Sequence, residues 1–457
     1  MPRRQDQTKR PTLAEKRESI DRNILRLAAP AIVNNITVPL LGLCDTAIAG
    51  HLGRPSYIGA MAVGAMMLNV VYWLCGFLRM GTSGLAAQAC GAGDAAMSRD
   101  VLRKALTIAC AVAACALSLQ VPLERLLLRV IAPDPEVTAL AAEYFRILIW
   151  AAPAQLCIMA VSGWFIGMQD TVVPMAVAIG VNIVNIALSL TLVFGFGLGF
   201  AGIAAGTLCA NWVGAVAALL LARRRMRDAR RHGERGAGGG AGRVRWGRFF
   251  SVSGDLFVRS ACIMGVTLAM TSAGARLGET TLAANAVMMQ FFLFFSYFMD
   301  GFAFAAEALV GKSTGAGDVA LVRRDVAALM RWGAVMAVVF LLIYAGGAEA
   351  ITGLLTDNGA VRQAVGDMRW WLVALPPVTV TAFIFDGVFI GMSRTRALLV
   401  TTLVAAAAFF AIMLGAGRGE TPPNGVLWLA FETYLLLRGL LLGLRYARLQ
   451  GKTHFDL

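Results

Sequence analysis

GAGD at residues 91–94 returns unchanged at 315–318, an offset of 224. The same offset carries FIGMQDT (165–171) onto FIGMSRT (389–395) and AMAV (60–63) onto ANAV (284–287). An offset one shorter, 223, maps Arg146 and Pro153 in RILIWAAP onto Arg369 and Pro376 in RWWLVALP. Four matches in one order, at nearly one spacing, read as a duplicated half.

Around these markers the chain is apolar in long blocks. Of 457 residues, 58% are hydrophobic and only 15% charged, against roughly 25% charged in soluble proteins. Blocks of this length read as membrane spans. Twelve are expected, at about 24–50, 57–83, 100–122, 137–168, 171–195, 201–222, 251–275, 281–309, 326–346, 361–392, 396–415 and 424–444. Six spans per half is an even number, so the halves share one orientation and are related by an axis along the membrane normal. The expected fold is therefore an all-α integral membrane protein of two six-helix bundles related by a pseudo-two-fold axis. Its expected divisions are a tail 1–23, a first lobe 24–222, a basic Gly-rich linker 223–250, a second lobe 251–444 and a tail 445–457.

The net charge of +14 is not spread evenly. Arg3, Arg4, Lys9, Arg10, Lys16 and Arg17 crowd the first tail, and RRRMRDARRHGERGAGGGAGRVRWGR fills 223–248. With twelve spans these lie on one side with the C-terminus, whereas the opposite loops hold few cations, such as Arg54, Arg125, Arg129, Arg276 and Arg418. The asymmetry places both termini in the cytoplasm. It argues for a plasma-membrane protein and against a nucleic-acid partner; anionic-lipid binding by the basic loop is the minor alternative. Eight cysteines form no C-x-x-C pair, and the three histidines (51, 232, 454) have no metal spacing, so no metal is expected. No GxxxxGK[ST] run supplies a nucleotide motor, and no clustered catalytic acids suggest an enzyme.

Ionisable groups inside spans are costly and become functional candidates. Asp45 stands in LLGLCDTAIAG (40–50), with Asn34 three turns away on the same face. Pro30 and Pro39 bend this helix and free carbonyls. Asn182, Asn185 and Ser189 form a stripe on the fifth span. Burial favours the neutral form of a carboxylate, so such an acid can exchange a proton. These five residues form the expected coupling site. Asp300 and Glu307, seven apart on the eighth span, share a face with a Met- and Phe-rich stretch containing Met288, Met289 and Gln290. With Asp386, which is either a third cavity acid or the partner of an Arg, they form the expected substrate cavity, since acids, Met and aromatic faces suit lipophilic cations. Asp255 and Arg259 are spaced as an i,i+4 ion pair. Arg79, Arg146 and Arg369 are expected to snorkel or to pair with acids.

PAIVNNITVPLLGLCDTAIAGHLG, LRMGTSGLAAQACGAGD, ARLGETTLAANAV, DGFAFAAEALVGKSTGAGD and FDGVFIG resemble the multidrug and toxic compound extrusion (MATE) family, most of all its DNA-damage-inducible protein F branch. The likeness covers the chain apart from tails and linker. It implies two six-helix lobes exporting organic cations or other amphipathic drugs and toxins by antiport with H⁺ or Na⁺, with no cofactor. It also implies a coupling role for Asp45. Ser189 stands where such proteins often carry a second acid, which leaves one carboxylate and favours H⁺ over Na⁺. A monomer is expected. The alternative is a flippase for lipid-linked precursors, whose cavity should be lined by Arg or Lys.

Overall fold

The computed structural model describes residues 13–231, 244–417 and 423–450. Arg3, Arg4, Lys9, Arg10, His232, the Gly-rich heart of the linker, Arg418, Lys452 and His454 lie outside them, as do the side chains of Lys16 and Arg17. The described residues are helical, with no strand among them. Twelve helical segments are long and apolar enough to span a bilayer: Glu18–Gly50, Pro55–Gly91, Ala95–Ser118, Pro135–Gly167, Val172–Gly195, Gly199–Ala229, Trp246–Arg276, Glu279–Gly315, Val319–Leu355, Arg369–Gly391, Thr395–Gly415 and Asn424–Gln450. They are called the first to twelfth spans below. Leu43, Ile183, Leu268, Leu342 and Leu414 turn outward on them, as side chains facing lipid tails do.

Several helices run beyond their apolar blocks. The sixth continues through the arginines to Arg231, the twelfth to Gln450, and the first begins at Leu13. Arginine is a good helix former, so a helix need not stop where the hydrocarbon does. Other spans are broken where the apolar pattern is continuous. The second divides at Cys75 and Gly76 into Pro55–Leu74 and Phe77–Gly91. The fourth carries a 3₁₀ turn, Ile149–Ala151, just before Pro153. The fifth ends in a π turn, Thr191–Gly195, directly after the Ser189 stripe; such turns gather at functional sites. The first span remains one helix through Pro30 and Pro39.

The duplication is visible in the packing. A Cβ on Gly91 would sit 1.9 Å from the Lys312 carbonyl oxygen, and one on Gly315 2.1 Å from that of Gln88. Gln88 and Lys312 occupy equivalent positions in the two halves, as do Gly91 and Gly315, so the two contacts are exchanged by the pseudo-two-fold axis. Within each half the fourth and tenth spans repeat one contact: Gly163 would meet Arg79 O and Gly387 would meet Ala303 O, both at 2.3 Å. Glycine is required where backbones approach this closely. The turns closing these hairpins repeat their dihedrals as well, with positive φ at Gly93 and Gly317 and at Gln169 and Ser393.

Candidate functional site

In the first half, the first span packs on the fifth and the fifth on the sixth. Asp45 is buried there, and Asn185 and Ser189 are fully so. Thr207 of the sixth span joins them. Its hydroxyl lies 3.5 Å from Asp45 Oδ2, a long contact, and accepts from Asn185 Nδ2 at 2.7 Å. The same hydroxyl reaches Ile203 O, while Asn211 Nδ2 donates to the Thr207 carbonyl. Ser189 packs against the Cβ-less Gly206. Asp45 Oδ1, Asn185 Oδ1 and Ser189 Oγ are buried without a hydrogen-bond partner. No cation lies within ion-pair distance of Asp45 among the described residues.

Two expected members stand elsewhere. Asn34, eleven residues from Asp45, is about 16 Å along the helix axis, and no hydrogen bond joins them among the described residues. A shared helix face is not a shared depth. Asn182 donates instead to the Thr37 carbonyl at 3.0 Å, tying the fifth span to the first near Pro39.

The second half holds the charged cluster. Asp386 of the tenth span accepts from Arg259 of the seventh and from Arg438 of the twelfth, the latter at 2.5 Å. Glu307 pairs with Arg79 of the second span at 3.2 Å and accepts from Ser83. Arg79 also lies over the Phe304 ring. Three guanidiniums thus face three carboxylates. Asp300, half-buried, is in electrostatic range of Arg79, Asp386, Glu307 and Arg259 without a direct bond to any of them.

The anticipated Asp255–Arg259 pair does not form. Asp255 accepts from Thr395 at 2.9 Å and lies 3.7 Å from Arg396, while Arg259, a turn deeper, finds the acid at its own depth. Met288 is completely buried in the core, Met289 half-buried and Gln290 exposed. Consecutive helical residues point about 100° apart, so the three do not share one face. Of the neighbouring phenylalanines, Phe291 and Phe295 are core, with Phe295 meeting Phe340 and Phe383 edge-on at 5.2 and 6.1 Å, while Phe294 is exposed. Arg146 is bidentate to Glu124 at 2.8 and 2.7 Å, and Arg369 lies over Trp370.

Sequence reading missed Thr207 and Ser83, and it left open whether Asp386 pairs with an Arg without naming Arg259 or Arg438 as the partner. One available signal was the repeat, because Ser83 lies at the position equivalent to Glu307 and the two face each other across the axis.

Twelve spans in two equivalent halves, with buried polar clusters between helices, define a membrane transporter. The MatE family model matches residues 30–191 and 256–415, and the chain belongs to that family. It is 35% identical to DNA damage-inducible protein F of Escherichia coli (strain K12) over 433 residues, covering 94% of this chain and 93% of that one. It is 28% identical to a probable multidrug resistance protein NorM of Deinococcus radiodurans, over 92% of this chain and 93% of the relative. The Vibrio cholerae MATE transporter VcmN, solved in a bent form, superposes with a TM-score of 0.81 over 95% of this chain and 98% of that one, at 17% identity.

Proposed function

We propose that the chain is a secondary active multidrug exporter of the plasma membrane, moving cationic or other amphipathic compounds by alternating access in antiport with H⁺. The observation that carries the coupling reading is Asp45. Among the described residues it is a buried carboxylate with one oxygen unpartnered, the other held only by a long contact to Thr207, and no cation beside it. A carboxylate so placed is costly unless its charge changes during the cycle. Na⁺ is the less favoured ion because Asp45 is the single carboxylate of this cluster and the other oxygens are neutral. Asp300 is the acid best suited to meet a cationic substrate, since Glu307 and Asp386 are already paired. Both termini are assigned to the cytoplasm on the distribution of Lys and Arg.

The test is dye efflux from proteoliposomes under an imposed pH or Na⁺ gradient, with wild type and Asp45→Asn. Efflux driven by the pH gradient, lost in the variant while the protein elutes as a folded monomer, supports the reading. Efflux that follows Na⁺ alone would overturn the ion.

A second reading, translocation of an anionic amphipath such as a lipid-linked precursor, is favoured by one observation. Arg259 and Arg438 are both deeply buried and each keeps an unpartnered Nε–H. Transport of an anionic amphipath and of no cationic dye in the same vesicles would select it.

A further inference from the structure

The third and sixth spans both pack on the fourth and leave a cleft between them near one membrane surface. Four arginines line a cavity of about 200 Å³ there: Arg99 and Arg103 from the third span, Arg223 and Arg227 from the sixth. Each pair is spaced i,i+4, where like charges destabilise a helix, and the cleft sets the two pairs together. No ion pair satisfies any of the four among the described residues, and Arg99 only reaches back to the Ala95 carbonyl. Asp100, adjacent in sequence, is occupied by Lys104 and by the Val244 N–H. Asp228 does not line the cavity. Among the described residues no acid lines the cavity, so positive charge is concentrated there.

The rest of the lining is apolar: Leu102, Leu106 and Met226. Arg223 is the first charged residue after the apolar block of the sixth span, so the cleft lies where hydrocarbon gives way to headgroups. The cavity is small for a drug-sized ligand. A basic pocket between spans at that depth has the character of an anionic headgroup site. We propose that this cleft binds an anionic phospholipid, its phosphate held by Arg99, Arg103, Arg223 and Arg227 and the start of an acyl chain lying on Leu102, Leu106 and Met226. The apolar lining is what selects a lipid over a soluble phosphate. The site is remote from Asp45 and independent of the coupling ion and the exported compound.

The test uses purified full-length protein, delipidated in detergent and titrated with phosphatidylglycerol, with bound lipid counted by native mass spectrometry. Wild type should retain one phosphatidylglycerol and neither phosphatidylcholine nor inorganic phosphate. Arg99→Gln combined with Arg227→Gln should raise the half-saturating concentration about 30-fold. Leu106→Trp keeps every arginine, fills the apolar floor and should weaken the lipid at least about tenfold. It decides the matter if the arginine variant does not fold. Unchanged phosphatidylglycerol binding in the folded variants overturns the proposal. So does competition by inorganic phosphate at equal concentration, which would make the cleft a soluble-anion site.

Discussion

Ser83 donates a hydrogen bond to Glu307, and the two residues are equivalent in the duplicated halves, 224 positions apart. They meet on the pseudo-two-fold axis, so the second and eighth spans are fastened by one residue touching its own counterpart. Arg79 completes the link from the same helix as Ser83. The carboxylate is almost wholly buried, and its charge is matched from the opposite half.

Removing one partner of such a pair strands the other. Glu307→Leu should destabilise the protein by about 3 kcal/mol because Arg79 is left without its acid. Arg79→Leu with Glu307→Leu should recover most of that loss. Thermal unfolding of the three variants in detergent forms the cycle. A double variant no more stable than Glu307→Leu alone would show that the pair is not coupled.

Asp386 holds two arginines at once, which makes it the most exacting position in the second half. Asp386→Ala should give little folded protein, since Arg259 and Arg438 would then face each other unscreened. Adding Arg259→Leu should recover part of the yield by removing the repulsion, while Arg438 stays buried without its acid. Yield of monodisperse protein after size exclusion is the readout, and equal yields from single and double variants would contradict the assignment.

Thr207 both donates toward Asp45 and accepts from Asn185. Its single proton is shared between Asp45 and the nearer Ile203 carbonyl. Thr207→Val keeps the shape, removes all these hydroxyl contacts and leaves the Asn185 amide unpaired; Thr207→Ser keeps them. The Val variant should lower gradient-driven efflux about tenfold, the equivalent of about 1.4 kcal/mol, while the Ser variant stays within about twofold of wild type. Similar losses in both would assign Thr207 to packing alone.

Gly91 and Gly315 make the same close approach from opposite sides. Gly91→Ala and Gly315→Ala should each cost at least about 2 kcal/mol through overpacking, and by similar amounts. Their combination should cost less than the sum, because either methyl already forces the same seam apart. Strict additivity in thermal unfolding would mean the two contacts are independent.

The fold was legible because its causes are local. Length and apolarity mark spans, and identical loops at one offset mark a duplication. The burial of Asp45 was legible for a related reason, since it stands in an apolar run. Thr207 was not, because a threonine inside a span looks the same whether it bonds only its own helix or a neighbour as well. The partner of Arg259 was misread because i,i+4 spacing states which residues share a face and says nothing of depth. Asn34 shows the same distinction, since it shares a helix with Asp45 but not its depth. The break at Cys75 and Gly76 left no mark in hydropathy, and glycine alone does not flag it, since Gly163 and Gly387 lie inside unbroken helices.

The Ser83–Glu307 contact also constrains the ancestry of the chain. Two identical copies of one half, assembled as a dimer, would place the same residue against itself at the axis. Serine facing serine is tolerable there, but two buried glutamates face to face would repel. An arrangement with acid on one side and hydroxyl on the other is closed to a homodimer and open to a single chain whose halves mutate separately. Joining the copies end to end therefore did more than fix their stoichiometry: it made the axis a place where the two halves could become chemically different.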